Sequence, residues 1–183
     1  MNWVHTTLVL GSALLAVFWE SAFNGVRHVL GAQLDLLPPL MVYAALKTDL
    51  KTVCLLAVLG GLWFDSLSVN PLGVSVLPLF VIGLAIYTQR EVILRDETFA
   101  QLVLGFGAST LAPVLALLLL LTIGHRPVLG LNTLWQWVVM SVGGALMTPA
   151  WFGIFDWLRR TFMHSRVPQA SLRSNREMRR GRL

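Results

Sequence analysis

Apolar stretches separated by short polar ones run along the chain at 6–23, 34–46, 52–64, 72–88, 99–123 and 133–157. Within the fifth, 102–123 carries no charge, and at ~1.5 Å per residue it is long enough to cross a hydrocarbon core of about 30 Å. The pattern predicts an all-α integral membrane protein, a bundle of six transmembrane helices. The second stretch is the shortest and carries Asp35 and then Pro38-Pro39. Proline suits the first turn of a helix rather than its interior, so the regular helix is predicted to begin near Pro38. Irregular chain before it then completes the span inside the protein, with a re-entrant segment as the alternative. Pro78 is expected to kink the fourth span. Residues 1–158 form the predicted polytopic membrane domain, and 159–183 a basic cytoplasmic tail, expected to be poorly ordered.

Charge decides the orientation. With six spans, Lys47, Lys51, Arg90, Arg95 and the arginines of the tail fall on one side, and Arg27 and Arg126 on the other. This positive-inside bias predicts a multi-pass membrane protein with both termini in the cytoplasm. The tryptophans agree: Trp19, Trp63, Trp135 and Trp137 come to the outer interface, and Trp3, Trp151 and Trp157 to the inner one. No basic segment precedes the first apolar run and no small-residue cleavage pattern follows it, so that helix is expected to stay in the mature protein. With 56% hydrophobic and 13% charged residues, no soluble stretch is long enough to build a core of its own. The single cysteine, Cys54, lies in an apolar run and reads as a small buried hydrophobe.

The chain is organised around Gly60-Gly61-Leu62-Trp63-Phe64-Asp65 and the following Ser66-Leu67-Ser68-Val69-Asn70-Pro71-Leu72-Gly73. Asn-Pro starts a turn, and a glycine soon after it permits backbone angles that other residues resist. A carboxylate placed in a membrane must face protein or water. Asp65 is therefore read as the structural anchor of a helical hairpin, with Pro71 and Gly73 shaping its turn. Glu20, Asp35 and Asp65 come to similar depths near the outer ends of their helices, where Arg27 and Arg126 are within reach. Together they suggest a polar mouth or partner site opening outward. For Glu20 and Asp35 the preferred reading is plainer, an interfacial carboxylate in water.

A catalytic constellation cannot be assembled. His5, His28, His125 and His164 lie near termini or in loops, and no H-E-x-x-H, G-x-x-x-x-G-K or G-x-S-x-G motif occurs. The expectation is a protein that is not an enzyme and holds no cofactor and no metal. Gly83, Gly105, Ser109, Gly143, Gly144 and Thr148 are small residues that let helix backbones approach, mostly within the bundle. In the tail, Arg159, Arg160, Arg173, Arg176, Arg179 and Arg180 are candidates for contact with anionic lipid headgroups. Nucleic acid is not an expected partner, because no aromatic platform or folded basic module accompanies them.

At Leu34-Asp35, Tyr43, Gly60-Gly61, Asp65 and Pro71-Leu72-Gly73 the chain resembles the MreD family of bacterial rod shape-determining membrane proteins. It departs from that family's pattern in having Leu34-Asp35 for a Pro-Asp pair and in adding Pro38-Pro39. The resemblance implies a six-helix fold similar to the substrate-binding subunits of energy-coupling-factor transporters. It implies a non-enzymatic membrane scaffold of the cell-elongation machinery (the elongasome), located in the bacterial inner membrane and active in peptidoglycan synthesis and cell wall biogenesis. Such a scaffold binds MreC, and through it the complex of RodA with its penicillin-binding transpeptidase. The fold similarity also supplies rival expectations, a vitamin transporter's substrate-binding subunit or a binder of lipid-linked precursors.

Overall fold

The computed structural model describes residues 3–22, 31–68, 71–93, 97–124 and 130–163, and within them every regular element is a helix. These are α1 (Trp3–Ala22), α2 (Leu37–Lys47), α3 (Leu50–Leu67), α4 (Val76–Gln89), α5 (Thr98–Thr122) and α6 (Leu131–Met163). Four of them, α1, α3, α5 and α6, are long and apolar enough to cross a membrane. The chain divides into two compact units, Met1–Phe152 and Gly153–Leu183. The first holds α1 to α5 and α6 as far as Phe152. The described part of the second is the end of α6, on which Arg159 and Arg160 are exposed.

Within the first unit each helix runs antiparallel to the one before it. His5 meets Tyr43 while Glu20 meets Gln33, so the start of α1 lies at the end of α2. Gly60 lies against Leu37, Gly61 against Val76, and Gly83 against Val53 and Met41, which aligns α2, α3 and α4. Leu119 and Ile123 share a cleft with Pro71–Val74, placing the end of α5 beside the start of α4. Gly105 faces Thr148 while Thr110 Oγ1 donates to Ser141 Oγ at 2.9 Å, so α6 runs back along α5.

Helix α2 forms the centre. It begins at Leu37, one residue before the expected start, and its two prolines occupy the first turn, where no helical N–H bond is lost. Every residue from Leu37 to Leu46 is buried, and α1, α3, α4 and α5 all pack on it. A helix apolar on all sides is stable only when covered on all sides. At about 16 Å it is too short to cross a hydrocarbon core unaided, and the irregular residues 31–36 lead into it. The outer helices face away from it with apolar side chains, such as Leu15 and Phe18 on α1 and Val103 and Phe106 on α5. An apolar surface this extensive suits lipid rather than water.

Two boundaries differ from the sequence expectation by more than three residues. The fourth apolar stretch becomes helical only at Val76, because residues 71–75 are held in a turn. Pro78 consequently falls in the first turn of α4 and not at a kink. The sixth helix continues to Met163, beyond the predicted 157, and so carries Arg159 and Arg160 on regular backbone.

Candidate functional site

The turn between α3 and α4 is held by one side chain. Asp65 lies in the last turns of α3 and is only 2% exposed. Its Oδ2 accepts the backbone N–H groups of Gly73 at 2.8 Å and Ser75 at 3.0 Å. These amides precede the first turn of α4, where backbone donors lack helical partners. A carboxylate oxygen therefore supplies what a capping side chain supplies elsewhere, from a different helix. Gly73 has φ +94°, a conformation open to glycine at little cost, within the turn whose N–H groups reach Asp65. Asp65 Oδ1 is buried with no hydrogen-bond partner among the described residues.

Gly61 lets the two helices close on this clamp. A Cβ at Gly61 would lie 2.8 Å from both the N and Cα atoms of Val76, inside contact distance of backbone. A Cβ at Gly60 would meet only the tips of Leu37 and Leu56, at 3.4 and 3.6 Å. The neighbouring glycines should therefore respond oppositely to alanine. Gly60→Ala is expected to hold or raise thermal stability in detergent, since alanine in a helix is favoured over glycine by about 1 kcal/mol. Gly61→Ala forces backbone apart and is expected to cost about 1–3 kcal/mol. Equal responses in a thermal-shift series would contradict the close approach.

A second polar group sits at the same end of the bundle. Gln33 Nε2 donates to Glu20 Oε1 at 3.0 Å, and Asp35 is near enough for its charge to act on Glu20. Asp35 Oδ1 accepts the N–H of Leu37 at 3.0 Å and so caps the start of α2. Glu20 Oε2 is buried without a hydrogen-bond partner among the described residues. The structure thus brings Glu20 and Asp35 together, with Gln33, which sequence reasoning did not single out. A lone amide in a short polar connection carries no signal of its own. Arg27 and Arg126, and with them Asn70 and the tail arginines Arg173, Arg176, Arg179 and Arg180, lie outside the described residues.

The opposite end is tied differently. Tyr43, 2% exposed, brings its hydroxyl to 3.3 Å from His5 Nε2 and receives the ring of Phe152 edge-on at 5.0 Å. Thr6 and Thr52 share a hydroxyl hydrogen bond of 2.9 Å between α1 and α3. Arg90 stacks on Tyr87 and donates to the carbonyl of Thr48 at 3.3 Å. Lys47 lies over Phe152. Basic side chains and buried aromatic contacts therefore gather at one end, and the three carboxylates at the other.

Between the 71–75 turn and the end of α5 is a cleft of about 230 Å³, lined by aliphatic side chains of Leu72, Val74, Leu77, Leu119 and Ile123. Among the described residues, no three of the His, Cys, Asp and Glu side chains gather in a metal-binding arrangement. Chemically, the arrangement around Asp65 holds backbone in place. The Glu20–Gln33–Asp35 group offers acceptors to a donor or a cation. The chain matches no known protein family, no characterised protein and no solved structure.

Proposed function

We propose that the chain is a non-catalytic scaffold of the bacterial inner membrane that serves lateral wall synthesis during cell elongation, in the manner of the MreD family. In this reading six helices cross the membrane in the manner of the energy-coupling-factor substrate subunits, with both termini in the cytoplasm. Irregular chain at 31–36 completes the crossing of α2 inside the protein. The partner is MreC, which links the domain to RodA and its transpeptidase, and the tail arginines meet anionic lipid. The observation that carries the proposal is where the motif residues go. Gly61 lies against the backbone of Val76, the Asp65 side chain holds the N–H of Gly73, and Tyr43 packs in the core. They build a rigid membrane domain and leave its outer surface to other proteins, as a scaffold requires.

A second reading is supported by the Glu20–Gln33–Asp35 group. It is a substrate-binding subunit whose outward mouth takes a small polar ligand, such as a vitamin. One experiment separates the two: affinity purification in mild detergent, with mass spectrometry of proteins, lipids and small molecules. The scaffold reading expects MreC or wall synthases in the eluate, anionic lipid, and no stoichiometric metabolite. An ATPase module or a bound vitamin would overturn it.

A further inference from the structure

The buried positions of α3 recur every four residues, at Val53, Ala57, Gly61 and Asp65, with Thr52, Leu56 and Gly60 beside the first three. An α-helix turns about 100° per residue, so over these twelve residues it overshoots whole turns by about 120°. Yet all the contacts described above for this face with the next helix lie along one side of α4. Val53 packs at Gly83, Gly61 lies on Val76, and Asp65 binds the amides of Gly73 and Ser75. A regular helix could not present both ends of this face to one neighbour. The mismatch is absorbed at Leu56–Gly60, where α3 winds as a single π-helical turn. Such a turn accommodates one extra residue, reducing the overshoot to about 20°.

We propose that this turn is a one-residue insertion that sets the angular register of α3, aiming Gly61 and Asp65 at the entry of α4 while Thr52 and Val53 keep their own contacts. The turn is thus a positioning element for the Asp65 clamp. It acts whatever the membrane domain binds, so its failure and that of the scaffold reading are separable.

Deletion and insertion at one exposed site test this. Val58, in the middle of the turn, is 43% exposed, so removing it loses little packing. In an ordinary α-helix, deleting or inserting a residue rotates everything beyond it by about 100° in one direction or the other, and both changes are harmful. Here, deleting Val58 turns α3 into a regular helix with Asp65 still aimed at Gly73, whereas inserting an alanine after Val58 swings it away. The deletion variant is expected to accumulate in membranes at the parental level, and the insertion variant several-fold lower.

The clamp itself gives a second readout. Asp65→Ala added to the deletion variant should lower its thermal stability as much as it does in the parent. Added to the insertion variant, which has already lost the clamp, it should lower it no further. Equal loss from deletion and insertion, equal tolerance of both, or a deletion variant indifferent to Asp65→Ala would each overturn the proposal.

Discussion

Asp65→Ala is expected to be the most damaging single truncation in the chain. It removes one acceptor and strands two half-buried N–H donors, those of Gly73 and Ser75. A fully buried unsatisfied donor costs about 1–3 kcal/mol, so two half-buried ones place the loss at the lower end, about 2 kcal/mol, still a large share of the stability of a small domain. Asp65 itself is 2% exposed, so the alanine variant also leaves a void where the carboxylate was. Asp65→Asn keeps a side-chain carbonyl able to accept both amides and should retain much of the stability. The expected order in a detergent thermal-shift series and in membrane accumulation is parent, then Asn, then Ala. Gly73→Ala, which strains a backbone at φ +94°, should fall with the alanine variant of Asp65 because it disturbs the same bond. Parental behaviour of Asp65→Ala would remove the clamp from consideration.

Asp65 stands out in the sequence because hydrocarbon tolerates no idle carboxylate, and the Asn-Pro-Leu-Gly turn announces the reversal beside it. Its partners do not stand out. They are backbone amides, identical in every residue, and only the fold selects those of Gly73 and Ser75. The late start of α4 follows from that pairing, which keeps 71–75 out of the helix, and a hydropathy pattern is blind to it.

Total burial of α2 was hidden for another reason. A run such as Leu40 to Leu46 reads the same whether lipid or protein surrounds it, because both environments are apolar. The two prolines placed its start well because their constraint is local. The π-helical turn was invisible in turn, since residues 52–64 are apolar on nearly every side and show no face until burial is known. Glu20 and Asp35 each stand out in the sequence as carboxylates beside apolar runs, but their meeting across Gln33 depends on the path of the connection between α1 and α2.

The small residues of α5 and α6 give the sharpest remaining prediction. Glycine and hydroxyl residues four apart on each helix interlock: Gly105 lies under the Thr148 side chain, and Gly144 under that of Ser109. Thr148 Oγ1 donates to the carbonyl of Gly144 at 2.8 Å, while Ser109 Oγ, 1% exposed, has no hydrogen-bond partner among the described residues and rests on Gly144 itself. The position that a Cβ of residue 144 needs is already taken by both Cβ and Oγ of Ser109.

Gly144→Ala should therefore drive the helices apart, at about 1–3 kcal/mol or more, even though alanine is the better helix former in isolation. Ser109→Ala alone should be nearly neutral, because the hydroxyl lost has no partner. Its combination with Gly144→Ala should rescue little, since the obstructing Cβ remains. Ser109→Gly combined with Gly144→Ala moves the Cβ from α5 to α6 and should recover most of the loss. Thermal stability of the four variants in detergent measures this coupling directly. Additive effects, or rescue by Ser109→Ala as full as by Ser109→Gly, would mean that α5 and α6 do not cross at this pair. A crossing held by backbone contact explains why so much of the surface of both helices is left apolar and free for lipid or for a partner's helix.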